Sequence, residues 1–220
     1  LIGPQTCAIL IEPVQGEGGV TAMTADYMRG LRALCDKHGL LLILDEVQCG
    51  YGRSGKFFAH EWAGIEPDIM AVAKGIGGGF PLGACLAKGE VAASMVPGTH
   101  GSTYGGNPLA CAIGNAVLDR MLEPGFFAHV EKMGARLAWQ MQQLQQRFPQ
   151  FVVELRGKGL LAGIKITPPV RDFVTRLRDT QHMLAQGAGD NVLRLLPPLV
   201  VTEADIDEAA EKIAAAFEAM

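Results

Sequence analysis

The sequence predicts an α/β fold with a mostly parallel sheet, followed by a smaller α+β domain. The first observation is an unbroken apolar run that ends in two carboxylates, LLLILDE at residues 40–46, the pattern of a buried parallel strand. The second is the order strand, helix, strand across residues 7–45, which is typical of a parallel β–α–β unit. The third is a change of pattern at Gly125. We therefore expect the larger domain at residues 1–125 and the smaller one at residues 126–220.

The elements of the first part are predicted from apolar spacing and from end signals. Apolar residues at helical spacing predict a helix from Thr24 to His38, which Gly39 would end. Asn107 followed by Pro108 is a good start for another helix. A buried strand is expected at residues 7–14, further strands at 40–45, 69–73 and within 83–89, and the second helix at residues 109–122.

The second part has the pattern of an α+β domain. Its last helix should begin at Thr202 and carry its apolar residues on one stripe: Ile206, Ala210, Ile213 and Phe217. Other helices are expected to about residue 147 and at 170–179, with two strands around a glycine turn within 151–166 and one strand at 192–195.

Composition excludes several classes of function. The chain has 220 residues, a formal net charge of −4 and no cluster of lysine or arginine, which argues against nucleic acid or an anionic membrane as partner. No apolar run is long enough to predict a membrane span. The five cysteines have no metal-ligand spacing, and most lie inside apolar runs. We therefore expect most of them to be reduced core cysteines in a cytoplasmic protein, and we expect no metal site. The chain starts without Met, close to a strand-like run, and is interpreted as the later part of a longer protein.

Two patterns resemble a nucleotide-binding site but fail in detail. GYGRSGKF at residues 50–57 nearly matches the phosphate-binding loop GxxxxGK[ST], but Phe57 stands where a hydroxyl must bind magnesium. GIGGGF has Phe80 where a dinucleotide-binding loop needs glycine. A nucleotide hydrolase is therefore the remotest alternative.

Asp45 and Lys74 are the candidates for catalysis. Asp45 ends one predicted strand, and Lys74 follows the next, just before the glycines of GIGGG. Either residue alone could be structural, but open α/β sheets place their chemistry at these strand ends. A carboxylate that keeps a pyridine nitrogen protonated, and a lysine amine that binds a carbonyl group, are what a Schiff-base cofactor requires. Gln48 could donate to a ring oxygen, whereas Glu46 points to the other side of the strand and is left out.

Two further sites are less specific. The loop at residues 100–108 supplies hydroxyls from Ser102 and Thr103 before a helix N-terminus, where they could hold a phosphate or belong to an ordinary capping loop. Arg194 lies in an otherwise apolar strand and should have an anionic partner. That partner could be Glu17 in the loop QGEGG, as a structural ion pair, or a substrate carboxylate.

Six ordered blocks resemble the class III pyridoxal-phosphate-dependent aminotransferases. They are EPVQGEGG, LILDEVQCGYGRSGKFFAHE, PDIMAVAKGIGGGFPLGA, HGSTYGGNPLACA, ELRGKGLLAGIKI and GDNVLRLLPPLVVTEADI. Together they cover essentially the whole chain, and six blocks in order are far more specific than any one motif. The resemblance implies fold type I of the pyridoxal-phosphate enzymes, with residues 1–125 as the later portion of the cofactor-binding large domain and residues 126–220 as the small domain.

The resemblance also implies pyridoxal 5′-phosphate as cofactor and assigns its contacts by position. Lys74 would bind the cofactor and shuttle the proton, and Asp45 would hold the pyridine nitrogen. Val47 would pack on the ring, and Gln48 would reach the ring oxygen. Thr103 would contact the cofactor phosphate of the neighbouring subunit, which implies a homodimer.

The substrates implied are small molecules. Arg194 would bind the α-carboxylate of 2-oxoglutarate or glutamate, and Glu17 would pair with Arg194 when the other substrate presents its terminal amine. Ser102 would lie near the substrate. The reaction implied is a ping-pong transfer of the δ-amino group of N2-acetylornithine to 2-oxoglutarate, in arginine biosynthesis.

Alternatives remain within and outside this reaction class. Ornithine, succinylornithine, succinyldiaminopimelate and 4-aminobutyrate are rival amine donors for the same residues. Family members carry an N-terminal half with a phosphate-binding Ser-Gly loop, which this sequence lacks, so an inactive fragment or a non-catalytic domain is the other alternative. The family also usually has a glycine turn where Gln181 and His182 stand.

Overall fold

The computed structural model describes residues 2–220 and divides them into two compact units. Each unit has its own hydrophobic core, built where helices pack on a sheet. The first unit comprises residues 2–13, 23–51 and 56–124, and the second comprises residues 14–22, 52–55 and 125–220.

Ten strands and six α-helices make up the described chain. The strands are β1 (Ala8–Ile11), β2 (Val14–Gln15), β3 (Thr21–Ala22), β4 (Leu41–Asp45), β5 (Ile69–Val72), β6 (Ala84–Ala87), β7 (Val152–Lys158), β8 (Leu161–Ile166), β9 (Gln186–Ala188) and β10 (Val192–Leu195). The helices are α1 (Ala25–His38), α2 (Gly89–Ala92), α3 (Pro108–Leu122), α4 (Phe126–Arg147), α5 (Val170–Gln181) and α6 (Glu203–Glu218). Short 3₁₀ turns span Ala59–Ala63 and Lys74–Gly77.

The sheet of the first unit has the strand order β1-β4-β5-β6. The first three strands are parallel and β6 is antiparallel to β5, which confirms the predicted mostly parallel sheet. The prediction of a buried strand at 7–14 was wrong in extent and burial, because β1 covers only Ala8–Ile11 and Leu10 is 69% exposed. The reason is position: β1 is the outer strand of the described sheet.

The helix α1 begins and ends where its end signals predict. The Thr24 side chain accepts a hydrogen bond from the Tyr27 N–H, and Gly39 adopts the left-handed conformation, with φ 64°. Met28 and Cys35 are buried on one face of the helix against the strand β4. This packing completes the β–α–β unit β1-α1-β4.

The second unit packs α4, α5 and α6 around an antiparallel sheet of order β7-β8-β10-β9. The predicted apolar stripe of α6 is confirmed, because all four of its residues are buried. Its last member, Phe217, stacks on Phe173 with 4.4 Å between ring centroids. The strand β9 was not predicted, because its three residues, Gln186–Ala188, carry no apolar alternation.

The turn after α5 has the conformation that a glycine would favour. His182 ends the helix with φ 51°, in the left-handed region, and its N–H donates to the carbonyl of Leu177. A histidine therefore occupies a left-handed position here, at a modest cost in backbone strain.

The cysteine prediction was wrong for three of the five thiols. Cys35 and Cys49 are buried, whereas the remaining three are exposed in the described chain: Cys7, Cys85 and Cys111. Cys7 and Cys85 flank or lie on the outer strands β1 and β6, where an apolar run does not guarantee burial. Within residues 2–220 there is no disulfide and no cluster of side chains that could hold a metal ion, and no helix there is long and apolar enough to cross a membrane.

Asp68, just before β5, connects α1, β4 and the end of β6 within the first unit. Its buried carboxylate accepts hydrogen bonds from the Leu42 N–H and Arg32 Nη1, each at 2.7 Å, and pairs with Lys88 Nζ at 3.0 Å. Burial opposes ionisation of this group, but the three partners outweigh it and lower the pKa of Asp68 to about 2.

Asp68→Asn should lower the free energy of unfolding at pH 7 by roughly 1–2 kcal/mol. The folded state loses the negative charge that Arg32, Lys88 and the Leu42 N–H stabilise. Since the folded pKa lies below the unfolded one, this stabilisation is present above about pH 4 and is lost as the pH falls towards 2. Urea unfolding at several pH values measures the difference. Asp36→Asn is the control, because Asp36 also pairs with Arg32 but its side chain is 63% exposed; equal losses in the two variants would contradict the account.

Candidate active site

Asp45 and Lys74 lie at the carboxyl ends of neighbouring parallel strands. Asp45 is the last residue of β4 and stands opposite Ala71 in the register of β5. Lys74 comes three residues after Ala71. With strands about 4.8 Å apart and a rise of about 3.3 Å per residue, the two Cα atoms are separated by roughly 11 Å at most. One six-membered ring held between the two side chains can bridge such a separation.

The backbone at Lys74 is unusual for a lysine. Its φ is 49°, in the left-handed region, and it begins the 3₁₀ turn Lys74–Gly77. Gly78 closes the turn with φ 55°, and a Cβ there would lie 2.9 Å from Cγ2 of Val117 in α3. The glycines therefore allow a close approach of α3, and the turn leaves the lysine side chain exposed. A non-glycine residue in this conformation costs of order 1–3 kcal/mol, and such strain concentrates at functional sites.

The Asp45 carboxylate is held by the chain that follows it. Its Oδ1 accepts a hydrogen bond from the Val47 N–H at 2.9 Å, a local contact that fixes the orientation of the carboxylate. Asp45, Val47 and Gln48 are all half-buried. A carboxylate held through one oxygen keeps acceptor capacity on the other.

Glu46 has a structural role that the sequence did not reveal. It is 1% exposed and accepts hydrogen bonds from the backbone N–H groups of Ala59 and His60 at 2.8 and 2.9 Å. Its Oε1 also lies 2.9 Å from Nδ1 of His60. Glu46 thus anchors the turn Ala59–Ala63 from the opposite side of the strand end to Asp45, as strand alternation requires.

Ser102 and Thr103 lie in the exposed loop before α3. The Ser102 Oγ accepts a hydrogen bond from the Gly105 N–H at 2.9 Å. At the end of the loop, Asn107 caps the helix by accepting from the Ala110 N–H at 2.9 Å, and Pro108 fills the first helical position. The predicted helix start is confirmed, and the loop presents hydroxyls beside a helix N-terminus.

Arg194 and Glu17, both in the second unit, form an ion pair. Nη1 of Arg194 donates to Oε1 of Glu17 at 2.5 Å. The arginine side chain is 5% exposed and the glutamate side chain 71%, so the glutamate is the partner that has room to move. The sequence left open whether the two residues meet, and the structure brings them together across 177 positions of chain.

Gln186 is a second partner of Arg194 that sequence analysis missed. Its Oε1 accepts from Nη2 of Arg194 at 2.7 Å. Both residues line a mostly apolar groove of about 400 Å³ in the second unit, together with residues such as Leu184 and Pro197. The only available signal would have been the recognition of β9, which lacks an apolar pattern.

Comparison with a family model identifies the protein family of this chain. Residues 1–217 match the family described as "Aminotransferase class-III". The chain belongs to this family. Class III aminotransferases depend on pyridoxal phosphate and have fold type I, so the recognition and the fold class predicted from the sequence are confirmed.

Curated relatives of the chain are named as acetylornithine aminotransferases. An "Acetylornithine aminotransferase" of Mesorhizobium japonicum is 57% identical over 214 residues, which is 97% of this chain and 53% of that protein. An "Acetylornithine aminotransferase 2" of Caulobacter vibrioides is 51% identical over 220 residues, 100% of this chain and 54% of that protein. The chain therefore spans about half the length of the curated relatives it matches.

Solved structures of class III enzymes resemble the fold closely. An ornithine δ-aminotransferase of Plasmodium falciparum matches with a TM-score of 0.90 at 36% identity, over 98% of this chain and 57% of that one. The acetylornithine aminotransferase of Elizabethkingia anophelis matches with a TM-score of 0.89 at 35% identity, over 97% of this chain and 57% of that one.

Proposed function

We propose that this chain is part of a transaminase that moves the δ-amino group of N2-acetylornithine to 2-oxoglutarate, in arginine biosynthesis. The observation that carries the proposal is the placement of Asp45 and Lys74 at the ends of adjacent parallel strands. The names of the relatives support the choice of donor. Because the chain spans about half the length of these relatives, the reaction is proposed for a full-length protein of the relatives' size.

The residues of the first unit fit pyridoxal phosphate. Lys74, at the start of the turn after β5, would supply the amine that holds the cofactor and moves the proton. Asp45 would hold the pyridine nitrogen in its protonated form, since the hydrogen bond from Val47 engages only Oδ1 of its carboxylate. When bound, the cofactor supplies an electron sink for a substrate carbanion. Gln48 would donate a hydrogen bond to the ring oxygen of the cofactor.

The loop before α3 serves the cofactor phosphate and the substrate. In a homodimer, Thr103 would contact the phosphate of the cofactor bound in the neighbouring subunit, and Ser102 would lie near the substrate. Exposed apolar side chains around this loop support burial against further protein, since Tyr104 is 80% and Leu109 is 61% exposed. We assign the homodimer to the cytoplasm.

Arg194 and Glu17 allow one site to bind two substrates that differ in charge. Arg194 binds the α-carboxylate of 2-oxoglutarate or glutamate, because a guanidinium can form bidentate hydrogen bonds with a carboxylate. Glu17 neutralises Arg194 while a donor with a terminal amine is bound. Its exposure, against the burial of Arg194, supports the assignment of Glu17 as the moving group.

A donor comparison tests the proposed reaction. The full-length protein should convert N2-acetylornithine in the first half-reaction with a kcat/KM at least about tenfold above that of ornithine or 4-aminobutyrate, because an acyl group adds recognised contacts. Absorbance changes of the bound cofactor report each half-reaction. Ornithine is the second candidate donor, favoured by the match to ornithine aminotransferases; preference for it would overturn the acetylornithine assignment.

A further inference from the structure

Gln186 and Arg194 face each other directly across the two strands β9 and β10. The strands are antiparallel, and the register places Gln186 opposite Arg194. Gln186 Oε1 accepts from Arg194 Nη2 at 2.7 Å. Because a guanidinium has donors only, the amide must present its oxygen to it. The contact is thus built into the strand pairing and does not depend on a mobile loop.

The two partners of Arg194 differ in charge and in freedom to move. Glu17 meets Nη1 and carries a negative charge, so it both neutralises and orients the guanidinium. Gln186 meets Nη2 and is uncharged, so it orients the guanidinium and leaves its charge available. Departure of the Glu17 side chain would leave a buried cation with a smaller set of partners, which is costly unless a new anion arrives.

The loop that carries Glu17 is fixed through its backbone. The Gly189 N–H donates to the Glu17 carbonyl at 2.8 Å. Arg156 donates to the Gly19 carbonyl at 3.2 Å through Nη1 and to Asp190 Oδ2 at 2.6 Å through Nη2. The loop is therefore bound to the turn between β9 and β10. These backbone contacts do not involve the Glu17 carboxylate, so its side chain can move without breaking them.

We propose that Gln186 is the positioning residue that keeps Arg194 aimed for a dicarboxylate ligand once the Glu17 side chain has moved away. The dicarboxylate class of the ligand rests on the proposed function. The new assignment is Gln186, which lies outside the ion pair of Glu17 and Arg194. The neutrality of Gln186 is essential, because a second permanent carboxylate beside Arg194 would compete with the ligand. Its fixed position spares the ligand the cost of ordering the arginine.

Binding of glutarate to the full-length holoenzyme tests this inference without turnover, since glutarate has two carboxylates and neither an amine nor a keto group. Gln186→Ala should weaken its binding roughly tenfold, because a hydrogen bond to a charged group is lost. Gln186→Glu should weaken it further, because Arg194 is then neutralised. Gln146→Glu, an identical charge change at an exposed position of α4, should leave the Kd unchanged within about twofold.

Steady-state kinetics supplies the second measurement. In both Gln186 variants the KM for 2-oxoglutarate should rise, whereas the KM for the amine donor should change less than about twofold, because Glu17 still pairs with Arg194 in that half-reaction. The inference would be overturned if Gln186→Glu bound glutarate with wild-type affinity, or if the wild-type protein did not bind glutarate. It would also be overturned if the KM values for donor and acceptor rose equally in both variants. A failed donor assignment would look different: glutarate binding would respond to the variants, but N2-acetylornithine would not be converted.

Discussion

Replacing Lys74 with alanine is expected to lower transamination turnover by about a thousandfold or more. The variant loses the amine that moves the proton, and a positioned acid–base group contributes about 10²- to 10⁴-fold on its own. The structure adds a reason for choosing this lysine, because Lys74 has a φ of 49° at the end of β5. Initial rates with saturating donor and acceptor measure the effect.

A matched control separates the role of Lys74 from a general effect of lost charge. Lys37 lies in the last turn of α1 and is exposed. Lys37→Ala should keep turnover within about twofold of the wild type, since surface substitutions rarely matter. A Lys74→Ala protein that retains wild-type turnover would remove the central residue of the proposed site.

Asp45→Asn should lower kcat by about a hundredfold or more while leaving cofactor retention nearly unchanged. The substitution keeps the shape of the side chain and the contact with Val47 but removes the charge that protonates the ring nitrogen. Loss of one preorganised electrostatic group at a reacting centre costs about 10²- to 10³-fold. Turnover and the dissociation rate of the cofactor, measured on the same preparation, give the comparison.

Glu46 provides the contrast, since it is the adjacent carboxylate. Glu46→Gln should lower the free energy of unfolding by about 1–3 kcal/mol, because a buried acceptor for the N–H groups of Ala59 and His60 is weakened. Its effect on turnover should follow the loss of folded protein. If Asp45→Asn lost cofactor and turnover together, the proposed role of Asp45 in keeping the ring nitrogen protonated would be contradicted.

Local signals carried most of the fold prediction. Thr24, Asn107 and Thr202 each cap the helix that the sequence predicts, through a side chain that accepts from a backbone N–H three residues on. The strands β4, β5 and β10 were predicted from their apolar runs; β10 is buried throughout, whereas β4 and β5 bury every second residue. Residues on outer strands were not predicted well: Leu10 and Cys85 are exposed, although their runs look like core.

The candidate site could be predicted only in part, because some contacts span long stretches of chain. Asp45 ends β4 and Lys74 closely follows β5, and these strands pair in parallel, so the proximity of the two residues follows from topology. Glu17 and Arg194 come together only because a glycine loop is bound to the turn after β9. Gln186 was missed because it lies in a strand of three residues whose partner is set by the fold and not by local pattern.

The most direct test of the account is the site of covalent attachment of the cofactor. Borohydride reduction of the full-length protein with pyridoxal phosphate, followed by peptide mapping, should place the label on Lys74, in the peptide that contains AVAKGIGGG. A label on any other lysine, with Lys74 unmodified, would contradict the claim that the ends of β4 and β5 form the catalytic centre.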